Sequence, residues 1–270
     1  MKQFIYIFLL QLLATVTLFS GDLTITYKVK ARALLVISTN ATLVEYHSSQ
    51  YKRVSNQKEQ TDTLFDYGNF VKYSVNHKEK VINKITLDDL MKAAEMITQA
   101  QRGNPENSSN MEEAMKKVFG DTSKQNVKNT GTEVVVNRRC DKWTISLGKF
   151  TAKISVDPGI VPSIPQDGKV SLLEYLAPRS LGIPGFADTV VKFFELTSQK
   201  GIPLKSDIVM PIGPITAKIY KEATEVVEGA IPASVFELPK GYKEIDRGKT
   251  MLEDLAEKLK NIPNLVKKNN

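Results

Sequence analysis

The chain has 270 residues, a formal net charge of +7 and one cysteine. Lysines and arginines mix with acidic residues, as in Lys78-Glu79-Lys80, without the basic runs interleaved with aromatics that stack on nucleic acid, so no nucleic-acid partner is expected. The lone Cys140 excludes an internal disulfide framework, and stability has to come from an apolar core.

Residues 1–20 have the order of a secretory signal peptide: Lys2 is a short positive region, Phe4 to Phe19 is almost wholly apolar, and Ser20 or Gly21 is a small residue for cleavage. The 16-residue apolar run falls short of the roughly 20 residues of a spanning helix. An uncleaved anchor is the alternative, because Leu18 or Phe19 then stands at −3, where a small residue is preferred. Lys2 is the only charge in this segment, so residues 21–270 carry +6. The expected location is periplasmic or secreted.

Strand signals follow. Leu23, Ile25, Tyr27 and Val29 alternate with Thr24, Thr26, Lys28 and Lys30. Ala33–Ile37 and Leu43–His47 read as strands with a turn at Asn40. Tyr51–Ser55, Thr63–Tyr67, Val71–Val75 and Lys80–Ile85 complete an antiparallel meander, with turns at Gly68-Asn69 and Asn76-His77. The period then changes. Thr86 with Asp89 resembles a capping box, and Leu87, Leu90, Met91, Ala94 and Ile97 recur at helical spacing. Residues 111–118 predict a second, shorter helix, and 121–131 a polar loop. Glu133–Val136 predicts a strand. Around Gly148, Trp143-Ile145-Leu147 and Phe150-Ala152-Ile154-Val156 form a hairpin pattern. Residues 158–167 are rich in Pro and Gly; short helices are expected at Val170–Leu176 and after Pro184. Strands are expected at Leu204–Val209, Ile215–Tyr220, Ala223–Val227 and Val235–Leu238, and a closing helix at Met251–Lys260. No internal repeat is evident. The expected organisation is one α+β domain over 21–262 and a polar tail over 263–270, with a large curved antiparallel sheet, an unclosed barrel, carrying helices on its concave face.

Catalytic patterns are missing. The histidines, His47 and His77, stand 30 residues apart and read as surface residues in strand or turn positions; a zinc site needs at least three ligands. There is no GxSxG elbow and no glycine-rich phosphate loop, and no cofactor is expected. Asp88-Asp89 and Glu112-Glu113 fall in first helical turns, where they favour the helix dipole. Cys140 reads as a small packed residue, although Arg138 and Arg139 beside it keep a lowered thiol pKa open. The helices carry soft apolar residues: Met91, Met96, Met111, Met115, Phe193 and Phe194. They either fill the core or face a cavity.

The stretch Lys200-Gly-Ile-Pro-Leu204, with Ala230-Ile-Pro-Ala-Ser-Val-Phe-Glu-Leu-Pro-Lys-Gly-Tyr-Lys243, resembles the end of a family of exported bacterial proteins similar in fold to the LolA/LolB lipoprotein carriers. The meander and the capped helix at 86 fit the same pattern. The resemblance implies an unclosed barrel with helices as a lid over an apolar cavity, and no catalytic residues. The long 101–131 segment and the 158–185 region depart from it. The resulting expectation is a non-enzymatic exported protein that binds a lipid or lipoprotein acyl chain, with Met91, Met115, Trp143, Phe193 and Phe194 lining the cavity. The alternative is a structural or protein-interaction domain of the cell envelope with a filled core.

Overall fold

In β1 (Leu23–Ala33), Leu23, Ile25 and Tyr27 are buried while Lys28 and Lys30 are exposed, the signature of a strand with one face on the core. The computed structural model describes residues 21–33, 37–102, 120, 125–160, 200–212 and 215–266. Within them β1 is followed by β2 (Ile37–His47), β3 (Tyr51–Asn56), β4 (Thr61–Asp66), β5 (Val71–Asn76), β6 (Val81–Thr86) and helix α1 (Leu87–Arg102). Next come β7 (Gln125–Val135), β8 (Arg138–Leu147), β9 (Phe150–Asp157), β10 (Ile202–Ile212) and β11 (Ile215–Glu228). A 3-10 turn (Ala233–Phe236), β12 (Lys243–Asp246) and helix α2 (Arg247–Val266) complete the order.

The strands form one twelve-stranded sheet in the order β12-β6-β5-β4-β3-β2-β1-β11-β10-β9-β8-β7. Pairing is antiparallel throughout, except that β12 runs parallel to β6. Among the described residues the sheet does not close, and the fold is α+β. Its centre joins the two ends of the domain: β1 lies against β11, with Leu23 opposite Glu228. The core there contains Leu23, Ile25, Tyr27, Cys140, Ile202 and Leu204. Full burial of each large apolar side chain contributes about 1.5–3 kcal/mol.

The meander has a ten-residue period that the sequence reading missed. Strands 51–56, 61–66, 71–76 and 81–86 are joined by four-residue turns. Asn56, Asp66 and Asn76 end successive strands, and each Oδ1 accepts a backbone N–H within its turn, from Glu59 (3.1 Å), Asn69 (3.0 Å) and Lys78 (3.0 Å). Such Asx bonds initiate turns. The last residue of each turn, Gln60, Phe70 or Lys80, has φ of 54°, 52° or 53°. Their carbonyls accept from His77, Leu87 and Lys243, so each turn supports a segment that comes later in the chain.

Helix α1 starts with the expected capping box: Asp89 N–H donates to Thr86 Oγ1 (3.1 Å), and Thr86 N–H to Asp89 Oδ2 (2.9 Å). Leu87 and Leu90 of α1 pack with Phe65, Tyr67 and Met251 of α2. Gly248 in the first turn of α2 lies so close to Asp89 that a Cβ would overlap its carboxylate.

Several expectations are corrected. Asn40 is no turn; it lies inside β2 opposite Lys30, because the long ladder with β1 outweighs a local turn preference. Residues 125–131 belong to β7, whose polarity reflects exposure rather than a loop. Ile215–Tyr220 and Ala223–Val227 are one strand, with a register shift between Thr26 and Tyr27 taking up the irregularity. Val136 and Asn137 make the two-residue turn between β7 and β8, at φ of 49° and 59°. This is the left-handed geometry of a type I′ hairpin, here with a β-branched residue that packs against the core. Val235–Leu238 is not a strand. Pro232, with φ of −56° and no N–H, leads into the 3-10 turn, and the strand forms later as β12. Helix α2 starts before Met251 because Asp246 Oδ1 accepts the Lys249 N–H (2.9 Å), and it runs past Lys260 to Val266, so residues 263–266 are helical. The helices expected at 111–118, 170–176 and after Pro184 lie outside the described residues, as do residues 1–20 and 267–270.

Candidate functional site

Residues directly opposite one another in a ladder share a face of the sheet. Trp143 lies opposite Ile154, Ile154 opposite Ser206, Ser206 opposite Lys221, Lys221 opposite Val29, and Val29 opposite Ala41. Leu23, on the Val29 face of β1, leads through His47 and Lys52 to Phe65, against which the helices pack. Helices and Trp143 therefore occupy the same face, at opposite ends of the sheet. Eight strands separate β6, beside α1, from β8.

Around Trp143 this face is apolar: Ile145, Ala152, Ile154 and Val156 are buried, with Trp143, Phe150 and Ile208 packed against them. The Trp143 indole Nε1 is itself buried and has no hydrogen-bond acceptor among the described residues. An unmet buried donor costs about 1–3 kcal/mol. The Lys200 ammonium stands 6.0 Å from the indole centroid. The face around Trp143 thus combines buried aliphatic side chains, an indole N–H without an acceptor among the described residues and a nearby cation.

Of the residues expected to line a cavity, Met91 is on α1 and 56% exposed, on the helix that follows β6. Met115, Phe193 and Phe194 lie outside the described residues. Asp88 pairs with Lys92 (2.6 Å) and Asp89 closes the capping box, so both serve the start of α1. Glu112 and Glu113 are outside the described residues. Cys140 has no exposed surface, and burial pushes its thiol up to about 11, against the opposing charge of Arg138. This favours the packed reading over the reactive one.

The histidines are not simple surface residues. His47 is 6% exposed, and its Nε2 lies 3.2 Å from Glu45 Oε2. Burial alone raises the Glu45 pKa, but the charges of Lys221 and Lys52 and the His47 bond hold it well below the usual carboxylate range. Lys221 also stands 3.7 Å from the Tyr27 ring centroid. His77 bridges Asp62 Oδ2 (2.7 Å) and the Tyr242 hydroxyl (3.0 Å). Burial raises the Asp62 pKa, and bonds from Arg53 and His77 more than offset it, leaving it lowered. Arg53 also donates to the carbonyl of Val235, and Tyr51 stacks on Phe236 at 5.5 Å. Arg53, Asp62 and His77 thus latch the closing motif onto the meander, on the face opposite the helices. Asp22 Oδ2 holds the other end of the motif through the Ile231 N–H (2.9 Å). The motif that carries the sequence resemblance is a packing device. Strand register brings Arg53, Asp62 and His77 together, and the contacts of Lys221 and of the closing motif bridge more than 150 residues, so spacing along the chain gave no signal for them.

No protein-family model matches the chain, and no curated protein matches it. Among solved structures it is similar to PNGF-II (12% identity, TM-score 0.39, covering 87% of this chain and 33% of that one). It is similar to an uncharacterized conserved protein from Thermus thermophilus (9%, 0.42, covering 87% and 96%). A LolA superfamily protein, NE2245 from Nitrosomonas europaea, is also similar (6%, 0.30, covering 81% and 91%). The chain spans about a third of the length of PNGF-II. With every TM-score below 0.5, these likenesses carry no inference about activity.

Proposed function

We propose that this chain is a non-enzymatic binding protein of the cell envelope, exported by residues 1–20, that holds an apolar ligand with a polar end, a lipid or lipoprotein acyl chain, on the apolar face of β8–β10. One observation carries this reading: the buried indole N–H of Trp143, unpaired among the described residues and set among Ile145, Ile154 and Ile208. An ester or carboxyl oxygen meets that donor, and the chain lies along the aliphatic row. Each buried CH₂ contributes about 0.8 kcal/mol, so an acyl chain binds without dedicated chemistry. Met91, Met115, Phe193 and Phe194 remain proposed lining residues.

Trp143 is the only tryptophan, so its emission reports the site without interference. Titration with palmitate and with lysophosphatidylglycerol is expected to shift the emission to the blue and saturate at one ligand per chain. Trp143→Phe is expected to weaken palmitate binding, measured by calorimetry, about tenfold, the loss of one hydrogen bond of about 1.4 kcal/mol. An unshifted emission, together with no co-purifying lipid in native mass spectra, overturns the reading.

A second reading, a protein-interaction domain of the envelope, is favoured by Val127 and Val134 on β7, which are 47% and 70% exposed at the end of the described sheet order. An edge strand with exposed apolar side chains accepts an added strand. Val134→Lys distinguishes the two: it abolishes a partner complex and leaves the Trp143 titration unchanged.

A further inference from the structure

On the side to which Lys28 and Lys30 point there is an open groove of about 380 Å³, lined by Lys28, Lys30, Asn40, Thr42, Gln57 and Lys58, with Val29 and Ala41 between them in sequence. Its construction follows from the register. Val29 belongs to the Trp143 row, so Lys28 and Lys30 on either side of it point to the other face. Lys28 lies opposite Thr42 and Lys30 opposite Asn40. The turn between β3 and β4 brings in Gln57 and Lys58, and Lys58 Nζ donates to the Asn40 carbonyl at 3.1 Å. Three lysines, a threonine, an asparagine and a glutamine thus share one concavity whose lining holds no carboxylate.

The lysines of the groove differ from the cations held in the ion pairs of the sheet. Elsewhere Arg53, Arg138, Lys205 and Lys221 are each paired with a carboxylate. Lys28, Lys30 and Lys58 have no ion-pair partner among the described residues. The carboxylate directly across from Lys28, Glu222, is taken by Lys205 (3.6 Å) and by the Tyr220 hydroxyl. Further along the same face Arg32 lies opposite Lys218, both exposed, which extends the positive field.

We propose that this groove binds a phosphate-bearing group. Several ammonium charges with hydroxyl and amide donors suit an anion with many oxygens and more than one negative charge better than they suit a single carboxylate. The volume is at the lower end of the roughly 300–1,000 Å³ of small-molecule sites, enough for a phosphate with a small polar substituent. That chemistry is shared by a soluble phosphate ester and by a phospholipid headgroup, and the experiment separates them.

The full chain is tested against glycerol 3-phosphate by calorimetry and against phosphatidylglycerol-containing phosphatidylcholine vesicles by co-sedimentation, both at 0.1 M salt. The triple variant Lys28→Gln, Lys30→Gln, Lys58→Gln is compared with a charge-matched triple, Lys128→Gln, Lys153→Gln, Lys249→Gln, at exposed sites on β7, β9 and α2. For vesicles the groove variant is expected to bind about a hundredfold more weakly, since each lysine near an anionic surface contributes about 1 kcal/mol. For glycerol 3-phosphate a loss of at least about tenfold is expected, because three cationic charges near the phosphate are removed. The control stays within about threefold. Binding of the soluble ester assigns the groove to free phosphate compounds; binding of vesicles alone assigns it to headgroups. Equal losses in the two triples, or no binding of either probe by the unaltered protein, overturn the proposal.

Discussion

Glu45 shows what the tertiary setting does to a single residue. In the sequence it is one of many acidic residues in a mixed surface. In the sheet it is 6% exposed, between His47 and Lys221. Its folded pKa lies below the usual value of about 4.3, as that of Asp62 lies below its own of about 3.9. Both therefore add stability that is fully present above those values and is lost as pH falls through the lower, folded ones. The urea midpoint is expected to hold from pH 7 to pH 5 and drop below about pH 4. Glu45→Gln leaves Lys221 without its buried counter-charge, so it is expected to cost about 3 kcal/mol at pH 7 and to flatten the acid limb. Urea unfolding at several pH values checks both; an acid limb unchanged in the variant contradicts the assignment. Gly201 is a residue of the opposite kind, needed for what it lacks. Its φ is 119°, and a Cβ there would overlap the Asp157 carbonyl.

At the scale of elements, the start of α1 and the start of α2 act as one unit. Thr86 and Asp89 cap α1, and Gly248 of α2 packs onto the Asp89 carboxylate. Thr86→Ala is expected to cost about 1 kcal/mol, the usual value of an N-cap. Gly248→Ala displaces the same carboxylate and damages the same cap, so the double variant is expected to lose less than the sum of the two, by about 0.5 kcal/mol or more. A double-mutant cycle by chemical denaturation measures the coupling, and strict additivity contradicts it. The capping box was legible in sequence because a cap is local. So were the meander strands and the β8–β9 hairpin, whose alternation is local too. β12 was not: its residues are mostly exposed and carry no alternation, and its pairing with β6 bridges more than 150 residues. The ten-residue period was available in Asn56, Asp66 and Asn76, but the strands between them differ in composition.

For the molecule as a whole, the ladder between β1 and β11 governs assembly. It joins residues about 200 positions apart at the middle of the sheet, with β10 and β9 built outward from it. Such long-range pairing carries a large loop-closure cost before contacts offset it. A chain ending at residue 199 lacks β10, β11, β12 and α2, leaving β1 and β9 as open edges. It is expected to be aggregated in size-exclusion chromatography, where the full chain is not; a monomeric, folded truncation contradicts this. Residue types, alternation and capping by themselves determined the strand-rich α+β class, most strand positions, the first helix and the packed role of Cys140, because each depends on neighbours within a few residues. Only the tertiary structure decided which charges meet, that the closing motif is latched by Arg53, Asp62 and His77, and that Trp143 lies on one face of the sheet and Lys28 and Lys30 on the other. Those outcomes depend on the register of strands far apart in the chain, and a shift of one residue in that register moves every side chain to the other face.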